Sequence, residues 1–397
     1  MKVIEFLECA CIVLVGFIIA HFINRKVAIY PRLKVYEMYK ENPSHKGKAD
    51  TEGMVVIVTG STSGIGQKIS EELFGYGATV ILASRNSTKG YMAMEEIKAT
   101  YPGSKGKLVY SKLDTSDLDS VKEFASWVKI NFNHIDYLVN NAGFQYGSLG
   151  DSAMTNMSIS TTSKQGYDEC FATNYLGHFL LTHLLLPTIR ERVINIASSL
   201  HFQPDGTTLN PKLGTPIAAV NNNKDFKHRA QAYGVSKLAN VFHAIELQKR
   251  LPDYGYPNLK VISVSPGWVQ TNIFGSGSKG IVPYLIHSNA FKLQEGILSS
   301  MNALFNQNLH GGEFVSNAIF PLSTYSWYDN LLQTLSKAGV RDQVMLLLGL
   351  VSLVVQSQSY GMHTHRPSPE CTDTQLTADF YDWTLQELQQ KGYIATI

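Results

Sequence analysis

Thr59-Gly60-Ser61-Thr62-Ser63-Gly64-Ile65-Gly66 stands between an apolar run, Met54 to Val58, and a stretch with helical spacing over 65–76. Glycines at a strand-to-helix turn allow a tight bend and let a pyrophosphate approach the backbone. The helix N-terminus then offers its free N–H groups to the phosphates. The spacing is G-x-x-x-G-x-G, not G-x-G-x-x-G, so the loop gains its meaning from what surrounds it. Downstream, apolar runs at 79–84, 107–113, 135–141, 192–198, 260–266 and 312–317 alternate with helical patterns. The helices are expected at 88–99 (Met92, Met94 and Ile97 inward), 117–131, 167–190 (stopped or kinked at Pro187), 230–250 and 294–306. Near-continuous Val/Ile/Leu runs mark strands covered on both faces. The pattern predicts an α/β fold: a doubly wound, parallel, seven-stranded sheet of Rossmann type, one domain over 54–320.

Length alone, 397 residues, would allow two or three domains. Charged residues are 17%, below the roughly 25% of an ordinary soluble domain. The net charge of +2 and the lack of a Lys/Arg block provide no field for nucleic acid. Cysteines at 9, 11, 170 and 371 form neither a disulfide framework nor a CxxC pair. No metal site is expected, and His178 reads as a packed helix residue. Part of the charge deficit is local. Cys9 to Ile23 is apolar but for His21, and extended back to Val3 it reaches the ~20 residues that span a bilayer. A membrane anchor is the preferred reading; a cleaved signal peptide or a helix of a soluble core are the alternatives. Arg25, Lys26, Arg32 and Lys34 follow the run and only Lys2 precedes it, which puts the main domain on the cytosolic side. The sequons at Asn86 and Asn156 would be silent there. A second run, Val344 to Val355, is too short to span unaided. It reads as a buried helix, as a helix lying in the membrane interface, or as one lining an apolar substrate entrance. The expected organisation is an anchor at 1–27, a linker at 28–53, the domain at 54–320, a hydrophobic C-terminal insertion at 321–371 with a helix at 344–355, and a closing helix and tail at 372–397.

At the end of the second strand, Ala83-Ser84-Arg85-Asn86 has no acid for a free ribose 2′-hydroxyl. Arg85 can pair bidentately with a 2′-phosphate, which favours NADP(H) over NAD(H); an ordinary surface arginine is the plain alternative. Tyr233 and Lys237, four apart on a predicted helix, share one face. A free tyrosine, with pKa about 10, is a poor base at neutral pH. A neighbouring ammonium is expected to lower that pKa and let Tyr233 exchange a proton with a substrate oxygen.

In order, TGSTSGIG (59–66), Asp114, Asn140-Asn141-Ala142-Gly143, Asn174, Ser199, Tyr233 with Lys237, Pro266-Gly267 and Thr271 resemble the motifs of the short-chain dehydrogenase/reductase family. The resemblance covers about 54–320 and the closing helix. It implies a catalytic tetrad of Asn174, Ser199, Tyr233 and Lys237, with Ser198 the alternative serine and Asn174 holding a water that links Lys237 to solvent. It also implies cofactor contacts from Gly60, Ser61, Ser63, Gly64, Ile65 and Gly66, from Asn141, Ala142 and Gly143, and from Pro266 and Gly267. Asp114 would hold the adenine amino group and Thr271 the nicotinamide amide. Asn174 to Leu181, Ser236 to Val241 and Gly166-Tyr167-Asp168 resemble the retinol dehydrogenase-like branch. The protochlorophyllide reductases share parts of this pattern, but the N-terminus reads as an anchor rather than a transit peptide.

That branch implies a membrane-anchored enzyme acting on lipophilic alcohols and carbonyls such as retinoids, steroids, prenols or fatty aldehydes. The endoplasmic reticulum or lipid droplets are the expected locations, and a homodimer is an assembly the resemblance allows. The other reading is a cofactor-binding sensor or scaffold at a membrane, without turnover. Three departures bear on the substrate. The loop from Gly143 to Gly166 is long. Ser199 and Tyr233 are widely separated, with Pro204, Pro211, Pro216 and Asn221 to Asn223 between them. The segment 321–371 has no family counterpart; a lid or interfacial helix delivering a membrane-dissolved substrate is the expectation for it.

Overall fold

A computed structural model describes residues 51–145, 162–202, 204, 206–213, 226–267, 269–271, 290–316, 363–365 and 367–395. The apolar runs at 3–23 and 344–355, the linker up to residue 50 and Asn156 lie outside the described residues. No helix among the described residues is long and apolar enough to cross a membrane.

The first half alternates as the apolar periodicity requires: β1 (Val55–Thr59), α1 (Gly64–Gly75), β2 (Thr79–Ser84), α2 (Ser87–Thr100), β3 (Lys107–Lys112), α3 (Leu118–Asn131) and β4 (Ile135–Asn140). Then come α4 (Glu169–Phe171), a π-helical segment (Ala172–Leu176) and α5 (Gly177–Leu185), followed by a 3₁₀ turn (Leu186–Thr188) and β5 (Ile189–Ile196). A 3₁₀ turn (Ser199–Phe202), the long α6 (Phe226–Arg250), β6 (Lys260–Ser265), α7 (Leu293–Gly296), α8 (Leu298–Phe305) and β7 (Phe314–Ser316) complete the expected domain. The strand β8 (His363–His365) and the helix α9 (Thr374–Gln390) follow.

The sheet order is β3-β2-β1-β4-β5-β6-β7-β8, parallel up to β7. The seven parallel strands are thus joined by an eighth. β8 pairs antiparallel with β7, Phe314 opposite His365 and Ser316 opposite His363. It comes from the segment expected to be an insertion, and it satisfies a sheet edge that β7 would otherwise leave open. Three residues are too few for a periodic signal.

Strand alternation sorts the core into two layers. Ile57, Ile81, Leu138, Val193 and Val261 face α3, α5, α6 and α9. Val56, Val58, Val80, Val139, Ile194 and Ile262 face α1, α2 and α8. Asp373 N-caps α9, its carboxylate accepting from the N–H groups of Gln375 and Leu376. The buried stripe Thr377, Phe380, Tyr381, Thr384 and Leu388 then lays α9 on the other helices of its layer. Phe380 lies 5.3 Å from the Tyr175 ring and Tyr381 lies 5.1 Å from Phe179.

Some boundaries move. The buried residues of α2 are Gly90, Ala93 and Ile97; Met94 packs partly against the core as expected, while Met92 is exposed. Gly90 lies against the Tyr110 ring, so the helix rotates its small residue toward β3. Asn86 serves as the N-cap of α2, its side chain accepting from the Lys89 N–H at 3.0 Å. The helix expected over 167–190 is broken at both ends and contains the π segment; Pro187 lies in the 3₁₀ turn that stops it.

Candidate active site

The loop after β1 has its close-packed form because glycine stands at three positions. Gly60 and Gly64 have φ of +64° and +58°, in the left-handed region. A Cβ on Gly60 would lie 2.8 Å from Ala142 Cα, and one on Gly66 would lie 2.4 Å from Asn141 Nδ2. The loop therefore rests directly on Asn141 and Ala142 after β4. Ser63 takes extended backbone at the N-cap of α1 without closing it by a side-chain bond, and Ile65 follows in the first turn. Those first-turn amides have no partner within the helix. Across the loop, a Cβ on Gly64 would sit 3.4 Å from the Thr271 methyl. Pro266 and Gly267, the latter with φ of +79°, carry the chain out of β6 on the way to Thr271.

Two hydroxyl oxygens beside this cradle, Ser61 Oγ and Ser84 Oγ, are buried without a hydrogen-bond partner. Arg85 follows Ser84 and is exposed. Asp114, after β3, holds Ser116 through its N–H (3.0 Å) and its hydroxyl (2.7 Å). Helix amides, a glycine cradle, orphaned hydroxyls and a guanidinium are the donor set a pyrophosphate-bearing dinucleotide requires. The residues fit that group.

Thr59 ties the loop to the next motif. Its hydroxyl oxygen accepts from the N–H groups of Asn141 and Ala142, each at 2.9 Å, and lies 2.8 Å from His178 Nε2. With two donors already on Oγ1, the Thr59 proton goes to His178, whose Nδ1 then donates to the Asn174 carbonyl at 3.1 Å. His178 is buried, as a packed residue should be, but it is also a polar link. Burial pushes its pKa down to about 4, so the ring is neutral. Gly143 carries the strand end onward: a Cβ there would be 3.0 Å from Asn174 Oδ1 and 3.5 Å from Lys237 Nζ.

Asn174 sits in the π segment, fully buried. Its Oδ1 accepts from the Phe144 N–H, and its Nδ2 donates to the Phe144 carbonyl and to Ser236 Oγ, all at 3.0 Å. Ser236 in turn donates to the Tyr233 carbonyl at 2.7 Å. Lys237 Nζ donates to the Ile196 carbonyl at 2.7 Å and lies 5.4 Å from the centre of the Tyr233 ring. Tyr233, Lys237, Asn174 and Gly143 are thus brought together where β4 and β5 end. Phe144, His178, Ser236 and Cys170 belong to the same cluster, and sequence reasoning did not find their roles. The spacing of His178 from Asn174, four residues, was the available signal.

Of the two candidate serines, Ser198 stands near enough to Tyr233 to lower its pKa. Ser199, one residue on, opens the 3₁₀ turn. The chain leaves extended geometry just after β5, so strand alternation no longer separates these two neighbouring side chains.

Residues 54–208 match the short chain dehydrogenase family. Human retinol dehydrogenase 11 is 33% identical over 262 residues, covering 65% of this chain and 74% of that protein. The chain belongs to the short-chain dehydrogenases. Mouse retinol dehydrogenase 12 is 31% identical over 67% of this chain and 78% of its own length. These relatives put the chain in the retinol dehydrogenase-like branch. The fold is shared with an uncharacterised Mycobacterium paratuberculosis protein, TM-score 0.57 at 24% identity, covering 85% of this chain and 96% of that one. Salutaridine reductase from Papaver somniferum aligns with TM-score 0.50 at 23% identity, over 66% of this chain and 99% of that one.

For a short-chain dehydrogenase, the electrostatics of the tyrosine are informative. The ammonium was expected to lower the Tyr233 pKa. Burial instead raises it well above that of a free phenol; Cys170 adds to the rise and nearby Ser198 opposes it. Burial also pushes Lys237 down to about 8. Desolvation exceeds the mutual assistance because Lys237 donates to Ile196 rather than to the phenol. Tyr233 is therefore a neutral phenol, the form that gives a proton away.

Proposed function

We propose that this short-chain dehydrogenase transfers hydride between NADP(H) and a lipophilic alcohol or carbonyl, with Tyr233 exchanging the proton on the substrate oxygen. The observation that carries this reading is the convergence of Tyr233, Lys237, Asn174 and Gly143 next to a glycine cradle fit for a dinucleotide. When bound, the nicotinamide supplies or accepts the hydride. Ser198 and Tyr233 together hold the substrate oxygen. In the reducing direction Tyr233 gives its proton to that oxygen as the carbon is reduced, and Lys237 stabilises the phenolate left behind. Asn174 fixes the Phe144 backbone and the Tyr233 helix, so the proton donor stands at a set distance from the cofactor cradle.

Arg85 after β2, with no acid beside it, supports NADP(H) over NAD(H) through pairing with the 2′-phosphate. The retinol dehydrogenase relatives support a retinoid, steroid, prenol or fatty aldehyde as substrate. The apolar run at 3–23 and its basic flank support a membrane anchor with the catalytic domain cytosolic, at the endoplasmic reticulum or lipid droplets.

Purified protein is assayed with NADPH and NADH against retinaldehyde, a ketosteroid, a prenal and a long-chain aldehyde. Turnover should require Tyr233, and Tyr233→Phe should lose it while still binding NADPH. Ser198→Ala should cost far more in kcat than Ser199→Ala; the reverse order would return the role to Ser199. Arg85→Glu should shift preference toward NADH. Failure to bind either dinucleotide would sink the reading, and unchanged biological activity of Tyr233→Phe would favour a scaffold. A glycan on Asn86 or Asn156 would overturn the cytosolic orientation.

A further inference from the structure

We propose that His201 is a positioning residue that fastens the Ser198 turn to the C-terminal segment, so that Ser368 helps build the active site. The inference rests on the reading of Ser198 and Tyr233 as the pair that handles the substrate oxygen. β5 ends at Ile196, and the chain then turns through Ser199–Phe202. The His201 N–H donates to the Ser198 carbonyl at 3.1 Å, and His201 Nδ1 lies 2.6 Å from the same oxygen. On the other side of the ring, the Ser368 N–H points at Nε2 from 3.1 Å. A backbone N–H can only donate, so Nε2 is the acceptor and the ring proton is on Nδ1. The Ser198 carbonyl thus receives two N–H bonds from one residue. The remaining lone pair of the imidazole is used by a residue 167 positions away.

The surroundings hold the ring in that orientation. It is fully buried, edge-on to Phe314 of β7 at 4.6 Å and beside Phe202 at 4.1 Å. Ser368 is itself fully buried, and its carbonyl accepts from the Cys371 N–H at 2.9 Å. The segment around it is fastened at both ends: β8 pairs with β7, and Gly206 comes close to Glu370 and Leu376. The turn that carries Ser198 and Ser199 is therefore held from behind by sequence for which the family resemblance has no counterpart.

Ser368 has φ of −55°, which proline tolerates. Ser368→Pro removes the donor to His201, whereas Ser368→Ala keeps it and removes only the hydroxyl. Steady-state kinetics and NADPH fluorescence titration are measured on both, together with His201→Phe and His201→Asn. Ser368→Ala, which gives up only the hydroxyl contact with Cys371 Sγ, should lose far less kcat than Ser368→Pro. Ser368→Pro should lower kcat by about ten- to a hundredfold, the scale of a misplaced reacting group, with the NADPH Kd unchanged. His201→Phe should fall at least as far, and adding Ser368→Pro to it should cost nothing more. His201→Asn, which keeps a donor near the Nδ1 position, should recover part of the loss. If Ser368→Pro does not fold, the comparison of His201→Asn with His201→Phe decides. Wild-type kcat in Ser368→Pro, or equal losses in kcat and in NADPH affinity, would overturn the proposal while Tyr233→Phe remains inactive. Turnover surviving in Tyr233→Phe would instead overturn the underlying activity.

Discussion

Individual side chains here do more than their spacing indicates. Gly143 is an example: its missing Cβ leaves room for Asn174 Oδ1 and Lys237 Nζ. Gly143→Ala should push one of them aside and lower kcat by about ten- to a hundredfold. Gly103→Ala, where a Cβ meets nothing, is the control for the same kinetic measurements. The glycine loop, Tyr233 and Lys237 were legible because their chemistry is local: a turn needs glycine, and four residues make one helical face. Ser198 was legible only as an alternative to Ser199, since the choice depends on where β5 gives way to a turn. The lowered pKa expected of Tyr233 failed for a related reason. Spacing shows that an ammonium is near but not that the Ile196 carbonyl receives it.

At the scale of elements, the π segment is the feature with most consequence. Helical periodicity over 167–190 gave no sign of it, because one extra residue per turn shifts the apolar stripe without erasing it. Its effect is to turn Asn174 onto Phe144 and Ser236 simultaneously. Asn174→Ala would take away both side-chain bonds to the half-buried Phe144 backbone, whose carbonyl keeps the Cys170 thiol, at a cost of about 1–3 kcal/mol. Chemical denaturation should show that loss, and turnover should fall with it. Asn174→Asp keeps one acceptor and should recover stability in part. β8 was missed for a different reason: its place is set by the free edge of β7, a partner far away in sequence.

For the whole molecule, buried neutral imidazoles set the acid limit. His178 and His201 are fully buried, each with its pKa pushed down to about 4 by desolvation, and burial also holds His243 well below the usual imidazole range. The unfolded chain takes up protons near pH 6.5 that these rings refuse until about pH 4. Stability from this source is complete above pH 6.5 and is lost as pH falls toward 4. At pH 5 the loss is roughly 2 kcal/mol for each of the first two. Thermal melts from pH 7.5 to 5 should show a steady fall in Tm. His178→Asn or His201→Asn should flatten that slope while lowering the starting Tm. A slope unchanged in both variants would reject the assignment. The doubly wound sheet was readable at this scale because every strand is an apolar run. The polar bonds that join its distant parts have no such pattern.

The latch between Ser368 and His201 also has a consequence for timing. The glycine cradle, Lys237 and Thr271 are all made before Ser368 leaves the ribosome. The turn after β5 can therefore be fastened only once nearly the whole chain has been made, when α9 too is ready to close the core.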